Sequence, residues 1–141
     1  MKNTVIFGAN NMTKEETHQA FLNTTFKVKG NYNFDIKIDC VIEKANHLDS
    51  FAFITAWNPL PEILSLESNQ YRNIELKKDI EQLAFIYVDG LGISDDGNWS
   101  EESFFIENIS LEKANELAKK YGQLAFVFGY KNNKAALIYT K

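Results

Sequence analysis

Apolar and polar residues recur at helical spacing in three segments of the chain. Thr13 and Glu16 have the spacing of a capping box, which is typical of a helix start. Ser110 is a second candidate N-cap, and Gly122 stands where a helix beginning there would end. The pattern predicts helices over residues 13–22, 65–82 and 111–121.

Seven other segments are short and apolar, as strands are. In one of them Ile36, Cys40 and Ile42 share an alternating face with Ile38, which places Cys40 on the core side. Residues 89–100 carry three glycines and are expected to form a loop. The predicted strands are 24–29, 35–42, 51–57, 83–88, 101–107, 123–129 and 135–140, of which 51–57 and 83–88 are apolar on both faces.

The resulting order of elements is α-β-β-β-α-β-β-α-β-β. Helices stand singly among groups of strands, which favours an α+β fold with a mainly antiparallel sheet and about three helices packed on it. A mixed sheet is the alternative. With 141 residues and no linker-like stretch, the chain is expected to form one globular domain over 1–141.

Composition and charge narrow the classes of partner. The formal net charge is -4, so general binding to a nucleic-acid backbone is not expected. No segment has the length of apolar sequence that a membrane span needs, and no membrane association is expected. The single cysteine excludes an intramolecular disulfide. Together these features favour a soluble cytoplasmic protein.

No established catalytic motif occurs in the sequence. Phosphate-loop, nucleophile-elbow and zinc-protease patterns are missing, and His18 and His47 are expected to be ordinary surface residues. The acidic loop with Asp89, Asp95 and Asp96 fails the calcium-loop pattern in both registers, because apolar residues or Glu occupy required positions. We therefore predict no metal site, name no cofactor, and do not favour an enzyme.

Polar residues on the inward face of the second predicted helix need an explanation. Asn69 and Asn73 lie there, and a buried amide without a hydrogen bond costs about 1–3 kcal/mol. They are expected either to tie down residues 58–65 or to line a polar pocket. Arg72 stands three residues before Glu75, which favours a surface ion pair over binding of an anion.

Four short segments carry a resemblance to a known family. They are Ala52, Phe53, Thr55, Ala56, Asn58 and Pro59; then Asn69; then Trp99, Glu101 and Ser103; and finally Gly122, Gln123 and Ala125. In their order and spacing they resemble a bacterial family catalogued as domain of unknown function 3293, from about Thr25 onward. Ser100 stands where that family commonly has proline, and Leu124 where it commonly has asparagine. The resemblance implies no activity, but it implies that these polar residues belong together.

The leading hypothesis is a domain that binds a polar small molecule or a nucleotide-like ligand. Trp99 is expected either to stack on a planar ligand or to be an ordinary core aromatic residue. The alternative is a protein-interaction or inhibitor module, and the third hypothesis is a metal-assisted hydrolase with Glu101 as general base. The candidate ligand-binding residues are Thr55, Asn58, Asn69, Trp99, Glu101, Ser103 and Gln123.

Overall fold

The computed structural model describes residues 13–30, 32–59 and 62–141. Its three α-helices confirm the predicted ones. Each begins after a capping side chain: Thr13 forms a full capping box with Glu16, while the hydroxyl groups of Ser65 and Ser110 each accept a hydrogen bond from a first-turn N–H. The helices are α1 (Lys14–Leu22), α2 (Leu66–Gln82) and α3 (Leu111–Lys120). None of the helices in the described ranges has the length and apolarity of a membrane span.

The strands of the described residues form one sheet of seven, in which every neighbouring pair is antiparallel. The α+β fold is therefore confirmed, and the mixed sheet is not observed. The order across the sheet is β2-β1-β4-β5-β3-β6-β7. The strands are β1 (Thr24–Val28), β2 (Phe34–Ile36), β3 (Ser50–Ile54), β4 (Tyr87–Ser94), β5 (Ser100–Glu107), β6 (Ala125–Tyr130) and β7 (Ala136–Tyr139), with a short 3-10 helix at Glu43–Ala45.

The sheet separates two hydrophobic cores. On one face α2 and α3 cover an outer core, which includes Phe104 and Ile106 of β5. The intervening Phe105 points to the opposite face and into an inner core built with residues from β1, β2 and β3. The sheet curls around this inner core.

The two ends of the curled sheet are joined by backbone hydrogen bonds. The N–H of Asp39 donates to the carbonyl of Ala135 at 2.7 Å, and the N–H of Ala135 donates to the carbonyl of Cys40 at 2.8 Å. A bridge between Val41 and Lys134 continues this contact. These backbone contacts therefore close the sheet around the inner core.

This closure explains why the prediction for residues 35–42 was wrong. Strand β2 ends at Ile36, and Asp39 then turns the chain with φ +70°. The alternation of buried and exposed side chains is lost at that turn, because the backbone there forms hydrogen bonds with Ala135 and not with β1. Cys40 is consequently exposed, not part of the core, although Ile38 and Ile42 remain buried.

The prediction of a strand over 83–88 and a loop over 89–100 was also wrong. Ala84, with φ +64°, turns the chain after α2. Strand β4 then runs through Gly90 and Gly92 and ends at Ser94. Gly90 belongs in this strand because a Cβ there would lie 2.5 Å from Cε2 of Phe53. The loop is thus reduced to a tight turn before β5. Helical spacing also predicts Leu66 on the inward face of α2 with Asn69 and Asn73, but its side chain is 59% exposed.

Candidate functional site

A small cavity of about 50 Å³ lies within the curl of the sheet. Phe26 and Phe53 of the inner core line it, and Phe21 of α1 packs beside them. Gly92 also lines the wall, and its missing side chain leaves space next to Phe26. The cavity is thus largely apolar, and its volume suits a small group.

Among the described residues that line this cavity, Glu101 is the one with an acidic or basic side chain. The alternation of β5 turns Glu101 and Ser103 to the inner face, where Glu101 is only 7% exposed. Asn58 Nδ2 and Trp99 Nε1 both donate to Glu101 Oε2, at 3.0 and 3.2 Å. Glu101 Oε1 accepts no hydrogen bond from the described residues, and none of their ion pairs includes this carboxylate.

Burial raises the pKa of Glu101 from 4.5 to about 7. The cause is desolvation of the charged form, which the hydrogen bonds from Asn58 and Trp99 only partly offset. A carboxyl group with such a pKa is present in both its protonated and its ionised form near neutral pH. It can therefore act either as an acceptor or as a donor towards a group in the cavity.

The side chain of Asn58 is fixed by the segment that follows β3. Asn58 adopts the left-handed conformation, φ +47°, and its N–H donates to Asn69 Oδ1 at 2.9 Å. Its own Oδ1 accepts from Asn69 Nδ2 at 2.9 Å and from the N–H of Leu64 at 2.8 Å. Asn73 holds the same segment by accepting from the N–H of Ala56 at 2.8 Å. Asn69 and Asn73 thus tie down the chain around Asn58 and do not line the cavity.

Arg72 also holds this segment, so the predicted ion pair with Glu75 was wrong. Arg72 Nε donates to the carbonyl of Ala56 at 2.6 Å, and its Nη2 donates to the carbonyl of Tyr121. Glu75 instead pairs with Lys78, at 3.2 Å. The guanidinium joins the end of β3 to the end of α3.

The other predicted polar residues are satisfied by backbone groups. The hydroxyl groups of Thr55 and Ser103 donate to carbonyl groups of β5 at 2.6 and 3.1 Å. Gln123 Nε2 donates to the carbonyl of Trp57 at 2.9 Å. All three residues line the cavity. These hydrogen bonds hold the three side chains in place, and the side-chain oxygen atoms of Ser103 and Gln123 accept no hydrogen bond from the described residues.

Five of the seven predicted site residues line the cavity, and two stand behind it. Asn69 supports Asn58, and Trp99 holds the carboxylate of Glu101 through its indole N–H. Trp99 itself is not among the residues that line the cavity. The five that line it are Thr55, Asn58, Glu101, Ser103 and Gln123.

Sequence reasoning missed the apolar part of the lining and Thr17. Phe53 belongs to the segment that carries the family resemblance, which was a usable signal. Phe21 and Thr17 lie on α1, and nothing in the sequence relates that helix to β5.

The acidic residues of the turn before β5 and the two histidines form contacts with other side chains near them. Asp95 pairs with Lys37 at 2.9 Å, and Asp96 accepts from the hydroxyl of Ser94 at 2.7 Å. His18 and His47 are exposed and contact tyrosine hydroxyl groups. In the described part of the chain, no group of three or more His, Cys, Asp or Glu side chains is arranged to hold a metal ion.

Of three comparisons with known proteins, one found a match. No curated protein and no solved structure matches the chain. A family model described as "Protein of unknown function (DUF3293)" matches residues 54–126, just over half of the chain. The matched range contains Asn58, Asn69, Glu101 and Gln123, and the resemblance predicted from these positions is confirmed. The chain therefore belongs to the DUF3293 family of proteins of unknown function.

Proposed function

We propose that the protein binds a small molecule in the cavity beside Glu101. The observation that carries the proposal is a buried carboxyl group, without an ion-pair partner among the described residues, that lines a largely apolar cavity. Such a carboxyl group costs free energy, because burial disfavours its charged form. Groups with strongly shifted pKa values cluster at functional sites, which supports a binding role here.

The ligand of this proposal is small and uncharged or positively charged. A cavity of about 50 Å³ accommodates the end group of a ligand, since a benzene ring occupies a cavity of about 150 Å³, and it does not accommodate a whole nucleotide. A phosphate would also bring negative charge against Glu101. No Lys or Arg side chain of the described residues lines the cavity to compensate it. The polar-ligand hypothesis therefore stands, and its nucleotide-like version is disfavoured.

The test is a fragment screen by ligand-observed NMR, followed by titration calorimetry on wild-type protein and two variants. Glu101→Gln changes the cavity, while Glu102→Gln changes the exposed neighbour that faces the other side of β5. We expect the compounds that bind most tightly to lose at least about tenfold in affinity in Glu101→Gln, because a charged hydrogen-bond partner is removed. Glu102→Gln should bind as the wild type does. Equal binding to all three proteins would contradict the proposal.

A catalytic role for Glu101 is a second candidate, and its pKa of about 7 favours it. The aspartates of the turn before β5 do not support metal assistance, because Asp95 and Asp96 are engaged by Lys37 and Ser94. The test is turnover of a panel of small esters, amides and lactones. A rate that rises through pH 7 and is lost in Glu101→Gln, but not in Glu102→Gln, would support catalysis.

A protein-interaction role is favoured by exposed apolar residues on α2. Leu66, Tyr71 and Ile74 are 59%, 63% and 52% exposed, and Ile86 after the helix is 66% exposed. The test is photo-crosslinking in cells from a reactive amino acid at Tyr71. A stoichiometric partner that is lost in Ile74→Glu would support this role, and a protein that crosslinks to nothing would contradict it.

A further inference from the structure

We infer that the ligand of this cavity is a small protonated amine on an apolar skeleton. The inference deepens the proposed function and rests on it. It follows from three features of the described residues that line the cavity: the use of their hydrogen-bond donors, the absence of positive charge among them, and the aromatic rings beside the carboxylate.

Most side-chain donors around the cavity are already used inside the protein. A hydroxyl group has one hydrogen, and Thr17, Thr55 and Ser103 each donate theirs to a backbone carbonyl, at 2.9, 2.6 and 3.1 Å. Gln123 Nε2 donates to the carbonyl groups of Trp57 and Tyr121, while one N–H of the Asn58 amide donates to Glu101 and the other has no acceptor among the described residues. What remains towards the cavity is mainly acceptor capacity, so the wall complements a ligand that donates.

Glu101 is the strongest of these acceptors. Both of its hydrogen bonds from the described residues reach Oε2, which leaves Oε1 able to accept from a ligand. An ammonium group would supply up to three N–H donors together with the positive charge that this carboxylate lacks. A carboxylate or phosphate ligand would offer further acceptors and a repulsive charge.

Three of the four phenylalanine residues that line the cavity belong to the inner core or pack against it. Phe26 and Phe53 contact each other edge to face, with ring centroids 5.3 Å apart, and Phe21 packs against the same core. Aromatic faces attract cations and also bury the hydrocarbon part of an amine. The cavity thus offers a carboxylate and aromatic surface in the combination that suits a small alkyl ammonium ion.

Binding of a cation should release a proton from Glu101. The groups that contact the carboxylate, Asn58 and Trp99, are neutral, and no other titratable side chain of the described residues lines the cavity. An ammonium ion lowers the pKa of Glu101 from about 7, because it stabilises the ionised form. Close to one proton should leave at pH 6 and almost none at pH 8.5.

A neutral ligand that accepts a hydrogen bond would behave in the opposite way. It would need Glu101 protonated, so its affinity would fall as the pH rises through 7. The affinity of an amine should rise over the same interval, since Glu101 becomes ionised while an alkyl amine stays protonated. The sign of the pH dependence therefore separates the two classes of ligand.

The experiment is titration calorimetry of matched compounds in buffers of different ionisation enthalpy, from pH 6 to 8.5. The compounds are ethylamine and n-butylamine, the corresponding alcohols, and acetate and butyrate. We expect both amines to bind at least about tenfold more tightly than their alcohols at pH 8. We also expect proton release at pH 6.

Two variants test the assignment of the residues. Glu101→Gln should remove the preference for amines while changing binding of the alcohols by less than about threefold, with thermal unfolding used to verify that it folds. Phe21→Leu should weaken the amines by about two- to fivefold and leave the alcohols nearly unchanged, because it removes one aromatic face.

The outcomes separate this inference from the proposed function. If alcohols or carboxylates bind in the cavity and the amines bind no better, the ligand class is wrong but the binding site stands. If neither these compounds nor the fragment screen gives any binder that responds to Glu101→Gln, both fail.

Discussion

Asn58 Nδ2 donates to Glu101 Oε2 at 3.0 Å, while the oxygen of the same amide accepts from Asn69 and Leu64. One side chain therefore fixes both the chain after β3 and the carboxylate on β5. The position of Glu101 depends on the loop after β3 as much as on its own strand.

Replacement of Asn58 should separate its backbone role from its side-chain role. Asn58→Gly tolerates φ +47° but leaves the N–H of Leu64 and the amide of Asn69 without their acceptor, so we expect a loss of about 2–4 kcal/mol. Asn58→Ala should lose about 1 kcal/mol more, because alanine is strained in this conformation. Urea denaturation measures both values. Equal stability of the two variants would contradict the role of the left-handed backbone.

The stability of the wild-type protein should carry a pH dependence from Glu101. The pKa of Glu101 is about 7 in the folded protein and 4.5 ordinarily. At pH values between these two, Glu101 is therefore protonated in the folded state and ionised in the unfolded state. The free energy of unfolding then falls by about 3 kcal/mol as the pH rises from 4 to 8.

Glu101→Gln lacks this dependence. It should unfold like the wild type near pH 4 and be up to about 3 kcal/mol more stable at pH 8, since it buries no charge. Chemical denaturation of both proteins across this range measures the difference, in which the other titrating groups cancel. A constant difference would show that Glu101 titrates normally.

Gly90 and Gly92 form a matched pair for testing how closely β4 approaches the inner core. A Cβ at Gly90 would lie 2.5 Å from Phe53, and Gly90→Ala should cost about 1–3 kcal/mol. A Cβ at Gly92 would lie 3.6 Å from Phe26, an ordinary contact, so Gly92→Ala should fold with nearly unchanged stability. Because Gly92 lines the cavity, this second variant should nevertheless weaken ligand binding. Thermal unfolding and calorimetry give the two readouts.

Arg72 should matter more to stability than any exposed ion pair on α2. Arg72→Ala leaves the carbonyl groups of Ala56 and Tyr121 without their donor and should cost about 1–3 kcal/mol. Lys78→Ala, which breaks the exposed pair with Glu75, should change stability by less than about 0.5 kcal/mol. Comparable losses in the two variants would contradict the bridging role of Arg72.

The helices were predictable because their signals are local. Capping residues and a spacing of 3.6 residues act within one turn, and Thr13 and Ser110 cap helices as their positions suggest. Gly90 and Gly92 misled the prediction of β4, since glycine is typical of loops. Gly90 is required in this strand because the ring of Phe53 on β3, almost forty residues earlier in the sequence, packs against it.

The polar half of the site could be predicted, and the apolar half could not. Asn58, Glu101 and Gln123 were recognisable because polar residues at strand ends or on inward faces are unusual. Phe21 and Phe26 are two of eleven phenylalanines, and alternation alone does not say which of them border empty space. Only the three-dimensional arrangement reveals that the hydroxyl donors are already used.

The contact between Asp39 and Ala135 has a consequence for how the protein folds. It joins segments almost a hundred residues apart, so the sheet can close only after the hairpin of β6 and β7 is in place. Long-range closure of this kind is slow compared with helix formation. During synthesis the inner core is therefore shielded from water only after the hairpin of β6 and β7 has left the ribosome, and until then the backbone groups of residues 39–41, which follow β2, lack their partners.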